Sequence, residues 1–115
     1  MMRRVILESP FSAPSFWGRF LNKRYARKCM RDSCMRGEAP MVSHLLYTQC
    51  LNDSDVRERH IGIEAGLAWG PASNATVVYT DRGISAGMRI GIERAHAEGR
   101  PVAYRSLYGI SSSAL

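Results

Sequence analysis

Residues 75–91, ATVVYTDRGISAGMRIG, decide the fold. The run Ala75 to Tyr79 is apolar and β-branched, which suits a strand buried on both faces. It stops at Thr80-Asp81 and passes Gly83. The segment that follows spaces Ile84, Met88, Ile92 and Ala95 for one side of a helix. Gly87 and Gly91 lie on or beside that stripe, and glycine there costs up to about 1 kcal/mol against alanine, so they predict close approach to a strand or a ligand. A buried strand, a tight turn and a helix form one half of a βαβ unit. In open α/β sheets the carboxyl ends of the strands and the first turns of the helices offer unpaired N–H groups to a ligand. Asp81, Gly83, Ser85 and Gly87 fall in that region and are candidate ligand contacts.

Working outward, the same alternation repeats. Arg4 to Glu8 (RVILE) reads as a first strand ended by Ser9-Pro10-Phe11, because proline cannot serve as an interior ladder member. A long helix is predicted from Phe16 to Arg36, closed by Gly37. Its apolar stripe is Trp17, Leu21, Tyr25 and Cys29, with Phe20 beside it, and Arg19, Lys23, Arg27 and Arg31 recur on another face. Ala39 to His44 reads as a second strand with Pro40 at its start, and Leu45 to Asn52 as a long functional loop. Asp53, Ser54 and Asp55 signal the start of a helix spaced by Val56, His60, Ile63 and Leu67 and ended near Trp69-Gly70-Pro71. A last strand begins at Val102-Ala103-Tyr104.

The order β-α-β-α-β-α-β predicts a small doubly wound, flavodoxin- or Rossmann-like α/β fold: a four-stranded parallel sheet with helices on both faces. Strand order 2-1-3-4 puts the switch point between the first and third strands and so brings Ser9 and Asp81 to one crevice. Residues 1–108 are expected to form one domain and 109–115 a flexible tail.

Composition narrows the function classes. Hydrophobic residues make up 45% and charged residues 23% of the 115, so neither disorder nor a membrane span is indicated. The opening MMRRVILESP is interrupted by Glu8 before a signal-peptide core develops, which predicts a cytoplasmic protein. Cys29, Cys34 and Cys50 form no CxxC pair, and His44, His60 and His96 lack ligand spacing, so no metal and no cofactor are expected. Net charge is +6, and five of the six charges lie between Phe16 and Glu38. A basic first helix of this kind is usually a solvated face, but it also admits a nucleic acid or acidic protein partner at Arg19, Lys23, Arg27 and Arg31.

Four motifs together resemble the nucleoside 2-deoxyribosyltransferase-like family: SPF at Ser9 to Phe11, RHIGIEAGLAW at Arg59 to Trp69, DRGISAGM at Asp81 to Met88, and AHAEGRPV at Ala95 to Val102. The similarity spans about residues 4–105 and is nearest to small, often phage-encoded members. It implies a nucleoside or nucleotide ligand held by Ser9, Phe11, His44, Tyr47, Gln49, Asp81, Gly83, Ser85 and Gly87, and a homo-oligomer whose subunits complete one another's sites. The family's transferases use a glutamate nucleophile on the third helix, at a position that corresponds to Gly91 here; Glu93 lies roughly 200° around the helix from it. Two expectations follow: a nucleotide-binding protein without transferase activity that sequesters a nucleotide signal, or an N-glycoside hydrolase or transferase using another carboxylate. Glu64, in the middle of the second helix, is the candidate catalytic base for the latter.

Overall fold

The hydrogen-bond ladder confirms the parallel α/β reading. A computed structural model describes residues 2–109, so the expected tail lies outside the described residues except for Gly109. Strands β1 (Arg3–Glu8), β2 (Glu38–Met41), β3 (Ala75–Tyr79) and β4 (Val102–Arg105) are all parallel, in the order β2-β1-β3-β4. Helices α1 (Phe16–Met35), α2 (Ser43–Leu46), α3 (Val56–Ala68) and α4 (Ala86–Ala97) connect them, with 3-10 turns at Tyr47–Gln49 and Gly70–Ala72.

Strand alternation sorts β1 between two faces. Val5 and Leu7 are buried with Tyr25, Cys29, Val42, Val77 and Tyr79 in a core on the α1 side. Ile6 and Glu8 must then point to the other side, toward α3 and α4. There Met88 and Ala95 of α4 are buried. All five residues of β3 are buried, and each large apolar side chain removed from water in this way contributes roughly 1.5–3 kcal/mol.

Helix starts follow the local chemistry. Ser15, Asp55 and Ser85 cap α1, α3 and α4 by accepting hydrogen bonds from Gly18 N, Glu58 N and Met88 N respectively. At the other end of α1, Ser33 donates to Glu38 at 2.7 Å, and Arg105 of β4 grips the same carboxylate through both Nη atoms, at 2.8 and 2.6 Å. This buried, bidentate pair lowers the Glu38 pKa.

Three expected elements differ. The second strand ends at Met41, and Ser43 and His44 open a helical turn instead; Pro40 sits within β2, where an edge strand has no neighbour on its outer side to need the missing N–H. The expected loop after it is helical at Ser43–Leu46 and Tyr47–Gln49. Trp17 is not part of the α1 stripe: it is 63% exposed and stacks on Phe20 at 5.4 Å, while Asn22, Tyr25, Ala26, Cys29 and Ser33 form the buried face.

Candidate functional site

A cavity of about 390 Å³ opens beside the carboxyl end of β1. Ile6, Glu8 and Ser9 come from β1 and its exit, with Phe11 following. Ser43, His44 and Tyr47 supply a second wall, and Glu58, Arg59, Gly62, Ile63, Gly66 and Leu67 of α3 a third. The start of α4, from Ser85 to Gly91, closes the fourth side, with Arg100 behind it.

The weak apolar patterning of α3 has its explanation here. Only Gly66 of this helix is buried, and Val56 is 85% exposed. The helix forms a cavity wall in place of a core layer. It approaches α2 closely: a Cβ on Gly66 would lie 2.6 Å from Ser43 Cβ, so a side chain there would push the wall outward.

His44 is fixed from two directions. Its Nε2 is hydrogen-bonded to Ser9 Oγ at 3.1 Å, and its ring lies 5.5 Å from that of Phe11 at 55°. Burial lowers its pKa to about 4, so the imidazole is neutral at physiological pH. Tyr47 is held in turn by Trp69, whose indole N–H donates to its hydroxyl at 2.7 Å.

Among the residues that line the cavity, the strongest perturbation falls on one outside the expected contacts. Glu8 is driven by burial to a pKa of about 8, which the Arg100 guanidinium only partly counters. That guanidinium is already committed to Thr76 Oγ1 at 3.0 Å and Glu98 at 2.6 Å. The carboxyl group lies against Gly91: a Cβ built on that glycine would overlap it, with Oε1 3.0 Å away and the other carboxyl atoms nearer. The absent side chain of α4 is therefore the space that Glu8 fills. The signal was present in the strand alternation, which places Glu8 on the α4 side together with Ile6.

Of the expected contacts, Ser9, Phe11, His44, Tyr47, Ser85 and Gly87 line the cavity, whereas Gln49, Asp81, Gly83 and Glu64 do not. Asp81 faces α1. It accepts from Tyr25 Oη at 2.6 Å, from Ser106 Oγ, and from Leu107 N at 2.9 Å. Burial alone would raise its pKa, but these donors outweigh it and hold the carboxylate below its usual range. The Asp81 carboxylate thus fastens α1 and the end of β4 to the end of β3, and it does not line the cavity that Ser9 lines. Gln49 lies outside, in a separate groove with Lys23 and Arg27. Glu64 is exposed to solvent, because the α3 surface facing the cavity is the one carrying Gly62, Ile63 and Gly66. Arg19, Lys23, Arg27 and Arg31 are all exposed along α1.

A family model described as a domain of unknown function, DUF7768, matches residues 3–105. The chain belongs to the DUF7768 family. Comparison with curated proteins found no match. Among solved structures, a 2-deoxyribosyltransferase from the psychrotolerant bacterium Bacillus psychrosaccharolyticus is similar to this DUF7768 chain with a TM-score of 0.64 at 16% identity, over 94% of this chain and 75% of the other. At that identity the likeness establishes a shared Rossmann-type fold. No helix among the described residues is long and apolar enough to cross a membrane.

Proposed function

We propose that this DUF7768 protein binds a nucleoside or nucleotide in the cavity beside β1. The observation that carries the reading is the cavity itself. Its size suits a small molecule, it lies outside the carboxyl end of a central parallel strand, and the first turn of α4 borders it. Phe11, Tyr47, Ile63 and Leu67 offer apolar surface for a base, and neutral His44 and Ser9 offer hydrogen bonds. The amides at Ala86 and Gly87 and the exposed Arg59 suit a phosphate. Likeness of fold to a deoxyribosyltransferase supports the ligand class. Sequestration of a nucleotide in the cytosol, and a second copy completing the cavity mouth near exposed Ile63 and Ile90, belong to this reading. Thermal shift with nucleosides and their 5′-phosphates tests it. A ligand at a hundredfold excess over its Kd stabilises the fold by about 2.7 kcal/mol, and silence from every compound rejects the reading.

One observation favours a second partner. Trp17 and Phe20 stack on the surface beside Arg19 and Lys23, an arrangement suited to the bases and phosphates of a single strand. Binding of a fluorescent oligonucleotide that weakens with salt, and that is lost when Lys23, Arg27 and Arg31 are reversed in charge, is the result this reading requires.

A further inference from the structure

Three carboxylates line the cavity, and they are not equivalent. Glu58 accepts a hydrogen bond from Asn52 N at 2.8 Å, and Asp53 sits in the turn before α3. Glu8 alone projects from the sheet. Among the described residues its carboxyl group receives no hydrogen bond, and the neighbouring guanidinium of Arg100 is engaged elsewhere. Maintaining this arrangement requires a glycine in the second turn of α4, where alanine would favour the helix. A glutamine would fill the same volume and hydrogen-bond a ligand without the penalty of an unpaired ionisable group. What a carboxyl adds is a proton that it can release and recover.

We propose that Glu8 is the catalytic carboxyl of an N-glycoside hydrolase, protonating the departing base of a bound nucleoside or nucleotide and then taking a proton from the attacking water. The proposal rests on the cavity being the nucleoside site. The neutral acid gives its proton to a ring nitrogen of the base. The C1′–N bond breaks, and its electron pair stays with the base. Water then forms the C1′–O bond and passes its proton to the Glu8 carboxylate, which restores the starting acid. The sum is nucleoside plus water giving free base plus sugar, with no further reactant. The neutral state of Glu8 at pH 7 supplies the proton at the outset. His44 is also neutral and pinned by Ser9, so it orients the ligand and does not compete as the acid.

The test uses the full chain with adenosine, 2′-deoxyadenosine, thymidine and their 5′-monophosphates at pH 6.5. Binding is followed by calorimetry and free base by chromatography, for the wild type, Glu8→Gln and Gly91→Ala. The expected result is release of base by the wild type, a fall of at least about 100-fold in Glu8→Gln with Kd nearly unchanged, and a wild-type rate that declines as pH rises past about 8. Gly91→Ala, which displaces the carboxyl, is expected to lower the rate as well. Binding with the ligand left intact, or release that survives in Glu8→Gln, overturns the role of Glu8 while the binding site stands. Absence of binding by all six compounds removes the site and the proposal together. Should Glu8→Gln not fold, the wild-type pH profile and Gly91→Ala decide: a rate unaffected by both overturns the proposal.

Discussion

The carboxyl group of Glu8 and a side chain at position 91 exclude each other. A Cβ on Gly91 would fall inside the space the Glu8 carboxyl occupies, so β1 and α4 share one site that only one of them can fill. Because the obstructing atoms are the free end of a flexible side chain, Gly91→Ala is expected to be nearly neutral in stability at pH 7, the helix gaining what the displaced carboxyl loses. In a Glu8→Ala background the same change should stabilise by up to about 1 kcal/mol, the ordinary helix preference of alanine. Urea unfolding of the four proteins of this cycle measures the coupling. Simple additivity would show that the two positions do not compete.

The pH dependence of stability carries the signature of two groups on different walls of the cavity, Glu8 and His44. Glu8 has its pKa raised to about 8, so the folded state holds a proton the unfolded chain releases near 4.5; stability falls as pH rises between those values. His44 is depressed to about 4 from 6.5, so its contribution is present above pH 6.5 and is lost as pH falls toward 4. Between roughly pH 4.5 and 6.5 the two slopes oppose each other, and above that range Glu8 acts alone. Wild-type Tm is therefore expected to stay level to about pH 6.5 and then decline toward pH 8. Glu8→Gln should remove the decline and expose the rise due to His44. Identical Tm profiles for the two proteins would show that Glu8 titrates normally.

Asp81 offers a sharp separation of structure from binding. Its carboxylate is satisfied by Tyr25, Ser106 and Leu107 and lies off the cavity. Asp81→Ala leaves the partly buried Tyr25 hydroxyl without its acceptor and should cost about 2–3 kcal/mol. Ligand affinity, measured by calorimetry on the folded fraction, should be unchanged. A specific loss of affinity without loss of stability would restore the expectation that this residue meets the ligand.

Why the fold was legible and the site only half so has a physical answer. β3 and β1 advertise themselves through runs of Val, Ile and Leu, and Ser9, Phe11 and His44 line the cavity because they follow the carboxyl ends of parallel strands, where open α/β sheets leave crevices. Asp81 obeys the same rule and still misses the cavity, because Tyr25 on α1 and Ser106 after β4 are remote in sequence and claim it first. Glu64 sits in the middle of a helix whose spacing leaves open which face meets the crevice, and it is exposed. α3 instead turns its glycines inward, and no sequence period announces a wall. Glu8 reads in the sequence as no more than the last residue of an apolar strand; only the pairing with Gly91, 83 positions along the chain, shows the space it fills.

α2 and α3 meet closely at the wall of this cavity, through Ser43 and Gly66. Gly66 meets Ser43 at a distance that leaves no room for a methyl group, and Ser43 Cβ, unlike the end of a flexible chain, can move only with its helix. Gly66→Ala should therefore cost about 1–3 kcal/mol despite the better helix propensity of alanine, since overpacking displaces backbone. The strain should be relieved when Ser43 is also changed to glycine, because the atoms that clash are removed. Ligand affinity follows the same order: it is expected to fall in Gly66→Ala, where α3 carries Gly62 and Ile63 away from Ser9 and His44, and to return in the double variant. Urea unfolding and calorimetry on the three proteins read both quantities. If Gly66→Ala is as stable as wild type, the wall is compliant and this contact does not set the width of the cavity.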